Sequence, residues 1–409
     1  MPEYLHISND KPSLLIKVVG DICPGDQAIP GLGTLSLSQK YGADFPFNHI
    51  SGLFQDADIV IGNLEGMLSE SVSNLSISSR RFCGLPKFAE VLGSEGFNVI
   101  NVANNHILDN GPELFFETVE ILRKTGIKIC GLRGNNGYYS QPVIINKKEK
   151  KVGIISYNWI VDGKPPEIDN YIAQSHDSVV NYTWHRNPEQ DKENQNNYNQ
   201  KNKNVIRDIK NLKRKVDTVV LICHWAYEFV NYPPYGVTLE ARSFIDAGAD
   251  LIIGIHPHCL HGYEQYRSKN IYYSLGNFIF DTLRKESKKT AVLNCQIVNS
   301  NEINCSMQYL MINKRHQPTP ADVLEEKKIH QLITYSNSMI DSPHISKLLN
   351  DDKVYHEFEQ MYNRGKIKSI LYHFILMTIH PAILKVIYLK FLNFINVIKL
   401  RLMGKKIRW

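Results

Sequence analysis

Six short apolar runs in this chain end in side chains that bind cations or move protons. The first closes on Gly20-Asp21 and the second on Gly62-Asn63-Leu64-Glu65-Gly66. The third gives Ala103-Asn104-Asn105-His106, followed by Asp109-Asn110-Gly111. A run from 217 closes on His224-Trp225, with Glu228 four residues beyond His224; one from 250 closes on His256-Pro257-His258, and one from 271 on Gly276-Asn277-Phe278. Carboxylate, carboxamide and imidazole without a cysteine pair make a mixed nitrogen and oxygen donor set, which suits Mn, Fe or Zn. Two such ions close together clamp a phosphate and acidify a shared water. In His256-x-His258, strand-like backbone would send both imidazoles to one face. Each residue also has an ordinary reading by itself. Asp21 can be a cap or turn former, His106 a satisfied core histidine, Asp109 and Glu228 capping or ion-paired groups, and His261 a surface residue. Only their joint placement at successive strand ends points to a metal or phosphate site.

The elements that must position these groups are legible as short Val/Ile-rich runs bounded by Gly, Asn or Pro. They are LLIKVVG (14–20), DIVIGN (58–63), FNVINVAN (97–104), IKICG (127–131), VGIISYN (152–158), DTVVLICHW (217–225), DLIIGIHP (250–257) and IYYSLGNF (271–278). Their length predicts strands. Helices are expected between them at 86–96, 112–126 and 238–248, each ending at Gly. Alternating strands and helices predict an α/β sheet, which binds ligands at the carboxyl ends of its strands. AVLNCQIVN (291–299) and INCSMQYLMI (303–312) read as a hairpin. Residues 186–204, rich in Asn and Gln, read as a surface insertion without chemistry.

The strings GD (20–21), GNLEG (62–66), ANNHILDNG (103–111), HWAYEF (224–229), AGADLIIGIHPH (247–258) and YSLGNFIFD (273–281) resemble the CapA family. These are bacterial capsule or poly-γ-glutamate synthesis proteins, related in fold to calcineurin-like metallophosphoesterases. The resemblance covers residues 14–285. It implies an α/β, metallophosphoesterase-like four-layer sandwich, two mixed β-sheets flanked by helices, with two divalent metal ions at the strand ends. It implies Asp21, Glu65, Asn105, His224, His256 and His258 as metal ligands, with Glu65 bridging. His106 would be the catalytic imidazole, oriented by Asp109, while Asn63, Asn104, Glu228 and Asn277 would hold the ligands or the substrate. Phosphoesterases usually open on Asp-x-His; here position 23 is Cys, so one metal position is expected to be weaker or differently ligated. The implied activity is metal-dependent phosphoester hydrolysis in capsule or cell-surface polymer biosynthesis, on a phosphorylated small molecule, a lipid-linked sugar or a surface polymer. The alternative is a non-hydrolytic, polymer-binding component working with capsule-synthesis partner proteins.

Charge divides the chain unevenly. Residues 360–409 carry ten Lys and Arg and no acid, whereas the whole chain has 47 basic and 41 acidic residues, net +6. The body is therefore net −4, which argues against a nucleic-acid partner. The tail's longest uncharged stretch, Ser369 to Leu384, is 16 residues, short of the ~20 that span a bilayer. Beyond Pro381, polar positions at Lys385, Lys390, Asn393, Asn396 and Lys399 draw a narrow stripe along an apolar helix. Residues 1–320 are thus expected to form the catalytic-size domain, 321–365 a helical linker and 366–409 a basic amphipathic tail lying on an anionic membrane. The polar, acidic N-terminus predicts no signal peptide, and seven scattered cysteines without CxxC predict buried reduced thiols. Together these place the protein on the cytoplasmic side of the membrane, peripherally attached.

Overall fold

A computed structural model describes residues 13–340 apart from 29, 77–78, 135–136, 161–169, 176–190 and 300–301. The basic tail, 366–409, and the end of the expected linker lie outside the described residues. The first sheet takes strands β1 (Leu14–Ile22), β2 (Ile59–Leu64), β5 (Val99–Asn101), β6 (Lys128–Cys130), β13 (Asn277–Ile279), β14 (Lys289–Ile297), β15 (Ile303–Ile312) and β16 (Pro318–Pro320). Its order is β16-β15-β14-β1-β2-β5-β6, with β13 also pairing β1. The second takes β7 (Val143–Lys147), β8 (Lys150–Asn158), β9 (Thr218–His224), β10 (Leu251–Ile255), β11 (Tyr263–Tyr266) and β12 (Lys269–Tyr272), in the order β11-β12-β10-β9-β8-β7. A two-residue pair, β3 (Met67–Leu68) with β4 (Cys83–Gly84), stands apart.

Period-two patterning explains how the layers stack. Ile16, Val18, Ile59, Ile61 and Val99 of the first sheet pack against Val152, Ile154, Val220, Ile222, Leu251 and Ile253 of the second. The intervening residues face outward. Val60 and Ile100 meet Phe88 and Leu92 of helix α2 (Lys87–Ser94) and Phe115, Val119 and Leu122 of α3 (Pro112–Lys124). Ile155, Val219, Leu221 and Ile252 meet Val205 and Ile209 of α5 (Lys203–Lys213) and Phe244 of α6 (Tyr235–Ala247). Both faces of each central strand are buried, which is why the runs read as continuous apolar rather than alternating sequence. Each such side chain contributes roughly 1.5–3 kcal/mol relative to exposure. The result is the expected four-layer arrangement: helices, sheet, sheet, helices.

Two local readings are corrected. The run 271–278 is two strands, because β12 ends in the second sheet at Tyr272 and β13 joins the first at Asn277. Gly276 turns the chain between them with φ +70°. The Asn/Gln-rich segment is not wholly a surface insertion. Residues 191–201 form α4, and Tyr198 and Asn202 are buried. Asn202 accepts from Trp159 Nε1 (3.1 Å) and Ser175 Oγ (2.8 Å) and donates to Glu240 Oε1 (2.8 Å). One Tyr and one fully bonded Asn anchor a segment whose average composition gave no apolar signal. The hairpin β14–β15 is paired as expected, Leu293 opposite Met307. Helix α1 (Thr34–Tyr41) and α7 (Val323–Ile340) complete the set. α7 buries Ile329 and Ile333 against Leu260, Ala291 and Tyr309, and Ser336 Oγ accepts from Gly262 N (2.7 Å). No helix among the described residues is long and apolar enough to cross a membrane. All seven cysteines are unbridged, six buried and Cys305 half-buried.

Candidate metal centre

The polar strand ends of the two sheets converge. From the first sheet come Asp21 at the end of β1 and Glu65 just after β2, both fully buried. The loop after β5 brings Asn105 and His106. From the second come His224 at the end of β9 and His256 and His258 just after β10. Gly20 permits this closure, since a Cβ there would lie 1.7 Å from Gly276 O, the acceptor of the Asp21 N–H (3.1 Å). Only a glycine tolerates that approach.

Glu65 is the hub. Its Oε1 lies 3.6 Å from His258 Nε2, 3.8 Å from His106 Nε2 and 4.0 Å from His224 Nε2. Ligand atoms of Asp21, Glu65 and His258 fall within 4.8 Å of one another, as do those of Glu65, His224 and His256. Two clusters thus share one carboxylate. A third, Glu228 with His256 and His258, flanks them, and Glu228 is half-buried. Asn105 Oδ1 lies 2.8 Å from His224 Nε2 and belongs with the second cluster. Buried carboxylates and imidazoles of this kind fit divalent ions of mixed nitrogen and oxygen preference. Burial pushes the Asp21 carboxyl above its ordinary value, against the pull of His258, the Asn63 amide and the His256 N–H. A cation would offset that cost. Cys23 belongs to none of these clusters; its thiol donates to Arg81 O at 3.5 Å.

Behind the ligands runs a layer of amides. Asn63 Nδ2 donates to Asp21 Oδ1 (2.8 Å), while Asn63 Oδ1 accepts from Asn101 (2.7 Å) and Asn104 (3.3 Å). Asn104 also donates to Leu64 O (2.8 Å) and accepts the His106 N–H (3.0 Å). Asn277 Oδ1 holds His258 Nδ1 at 2.8 Å, which leaves Nε2 directed at Glu65. Such contacts fix a ligand's tautomer and ring orientation. His106 Nδ1 meets Asp109 Oδ2 at 2.6 Å, and Phe82 stacks on the ring at 3.6 Å between centroids. An ionised carboxylate only accepts, so Nδ1 carries the proton.

The HxH pair reaches the site by a route other than the expected one. β10 ends at Ile255, and His256 and His258 have φ of 97° and 56°. Ala226 and Phe229, just after β9, have φ of 66° and 65°, and the Phe229 ring lies on His258. Four non-glycine residues in the left-handed region at one place mark backbone held in strain by its surroundings. A strained turn, not strand alternation, directs the two imidazoles. His261 is buried rather than at the surface; its Nε2 meets Val230 O (2.7 Å), and burial lowers its pKa to about 4. It is a structural histidine.

Asn101, Phe82, Phe229, Phe280 and Arg284 are additions that sequence reading did not reach. Phe229 and Phe280 pack on His258, with centroids at 5.6 and 4.8 Å, and the Arg284 guanidinium lies 3.6 Å from the Phe229 ring centroid. Asn101 lies within the apolar run FNVINVAN and was open to discovery as a polar residue in a buried strand. Nothing local distinguishes the others.

Residues 15–282 match the family described as bacterial capsule synthesis protein PGA_cap. This chain belongs to that family. Among curated relatives, the capsule biosynthesis protein CapA of Bacillus anthracis is 25% identical over 339 residues, covering 81% of this chain and 75% of its own. The PGA biosynthesis protein CapA of Bacillus subtilis (strain 168) is 28% identical over 304 residues, covering 73% of each. Solved structures with similar architecture include a putative 5'-nucleotidase from Staphylococcus aureus, in complex with alpha-ketoglutarate. It is 12% identical with a TM-score of 0.40, covering 78% of this chain and 58% of that one. A hypothetical protein from Thermus thermophilus is 11% identical with a TM-score of 0.40, covering 72% of this chain and 99% of that one. The family match extends over the strand ends that supply Asp21, Glu65, His106, His224, His256 and His258.

Proposed function

We propose that this family member is a metal-dependent phosphoester hydrolase of capsule or poly-γ-glutamate biosynthesis. The observation that carries the reading is Glu65, placed between two ligand clusters that each add carboxylate or imidazole from a different strand. Asp21, Glu65, Asn105, His224, His256 and His258 would hold two divalent ions, supplying Lewis-acid polarisation of a phosphoryl oxygen and an acidified water. The chain's own residues do the rest. His106 presents Nε2 toward the site and holds a proton for the departing oxygen. It does so as the imidazolium, protonated on both ring nitrogens, with Nδ1–H bonded to Asp109, which fixes the ring and stabilises its charge. Phe82 covers one face of the ring and limits water there. Asn63 and Asn277 restrain Asp21 and His258 against rotation.

Metal content of the purified full chain, together with phosphate release from a panel of nucleotides, sugar phosphates and lipid-linked phosphates, tests this. Wild type should retain metal and turn over at least one class, whereas Glu65→Ala and His256→Ala should lose both. Metal-free protein with equal activity in all three would refute it. Retained metal with no turnover on any substrate would favour the non-hydrolytic, polymer-binding reading.

The tail is proposed to attach the protein peripherally to the anionic cytoplasmic membrane face. Its ten cations and lack of acids support this. Full-length protein should co-sediment with anionic vesicles while residues 1–365 stay in the supernatant; equal partitioning of the two would count against attachment.

A further inference from the structure

β14 and β15 put Cys295 directly opposite Cys305, and their Sγ atoms lie 2.9 Å apart. That is closer than the roughly 3.5–4.0 Å at which unbonded carbons settle. The phase of the ladder matters for what this pair can do. Val298 N donates to Glu302 O (3.0 Å) at the closed end of the hairpin. Hydrogen-bonded and non-hydrogen-bonded pairs alternate along an antiparallel ladder, so Cys295 and Cys305 face each other at a non-hydrogen-bonded pair. There the Cα atoms approach to about 4.5 Å, inside the ~4.4–6.8 Å that a disulfide bridges. No backbone movement is required to join them.

We propose that Cys295 and Cys305 are a thiol pair that forms a cross-strand disulfide by exchange with a small-molecule or protein disulfide. Cys305, half-buried, is the accessible member and Cys295 the buried one. The Cys305 thiolate attacks one sulfur of the oxidant disulfide and expels the other as a thiol. The Cys295 thiolate then attacks Cys305 Sγ, forming the intrachain S–S bond and expelling the second thiol. The two protons leave with the oxidant's two thiols, which carry the electron pair. Asn270 of β12 directs its amide at Cys305 Sγ (3.7 Å), so the bond would form where the two sheets meet.

The other cysteines are differently placed. Cys23, Cys83, Cys130 and Cys259 direct their thiols at Arg81 O, Gly84 O, Asn101 Oδ1 and Val230 O, and Cys223 is enclosed in the outer core of the second sheet. Oxidation is therefore confined to one pair of the seven.

The test treats native full-length protein with oxidised glutathione, then counts thiols by alkylation in denaturant and maps the peptides. The expected result is a loss of two thiols, a mass lower by two hydrogens, and one cross-linked species joining the peptides of Cys295 and Cys305. A dithiol reductant should reverse all three, and the oxidised form should melt a few degrees higher. Cys305→Ser, at a half-buried position, should keep all its remaining thiols; Cys305→Ala repeats the test should the serine variant be poorly folded. Seven thiols persisting in the wild type, a cross-link through any other cysteine, or an equal loss in the Cys305 variants would overturn the proposal. Hydrolytic activity does not enter the readout, so its fate and that of the proposed function are independent.

Discussion

The two ends of the same strands treat buried carboxylates in opposite ways. At the amino ends, Asp58 before β2 accepts the Leu15 N–H (2.9 Å) and Lys148 Nζ (2.6 Å), with Lys147 at 3.5 Å. Asp250 before β10 accepts Val219 N (2.9 Å) and Lys213 Nζ (2.6 Å), with Lys269 at 2.9 Å. Each anion has amine partners and ties neighbouring strands together. At the carboxyl ends of β1 and β2, Asp21 and Glu65 face imidazoles and amides. One end is neutralised by the chain's own amines; the other gathers carboxylates and imidazoles that could hold a metal ion. A buried acid is thus a stability element or a ligand according to its neighbours, not its burial.

The largest test of that contrast is Glu65→Ala, which should reduce bound metal to background and phosphoester turnover to the metal-free rate, while leaving the fold's circular dichroism unchanged. Metal retained at wild-type stoichiometry would break the comparison. Next comes His106→Ala, expected to lower kcat by ~10²–10⁴ with metal content unchanged, as suits a proton-holding group. Asp109→Asn should act through the same imidazole and lower kcat by ~10–100-fold, with a displaced pH profile.

Asp58→Ala should do the reverse: lose about 1–3 kcal/mol of stability in urea unfolding, with metal content per folded molecule intact. Burial raises the Asp58 pKa, but the Lys148 bond, the Leu15 N–H and the two lysine charges outweigh it and hold the carboxyl below its ordinary value. Its contribution is therefore full above pH ~4 and disappears as pH falls through the lowered native value. The stability gap between wild type and variant should narrow as pH falls below ~4; a constant gap would mean the charge is not what matters. The smallest effect is expected from Cys23→Ala, which should alter metal affinity less than ~2-fold, since removing a group that is not a ligand leaves the donor set in place.

The donors were legible because each follows a strand whose run of Val and Ile is unmistakable, and a parallel sheet presents such positions on one rim. Asp21, Glu65, Asn105, His106 and His224 required no more than that. Strand alternation does not account for the HxH pair, since His256 and His258 lie beyond β10 with left-handed φ, in a turn tied to its neighbour by the Phe229 N–H on Pro257 O and the Phe229 ring on His258. Phe82 and Arg284 gave no signal, because a ring on His106 or a guanidinium over Phe229 is a contact between distant loops. Composition misled at 191–202, where averaging over Asn and Gln concealed Tyr198 and the bonded Asn202.

What the sequence determined alone is the inventory: strands with both faces apolar, helices closed by glycine, and oxygen and nitrogen donors set just beyond the strand ends. These are local properties, fixed by side-chain period and backbone preference within a few residues. What the tertiary structure decided is which donors come together. Asp21 accepts from the backbone of a residue 235 positions away, and Glu65 faces histidines from both sheets. Such distances are set by how two sheets pack through their common apolar layer. That packing depends on the fit of side chains brought together only by the fold, and no local pattern encodes it.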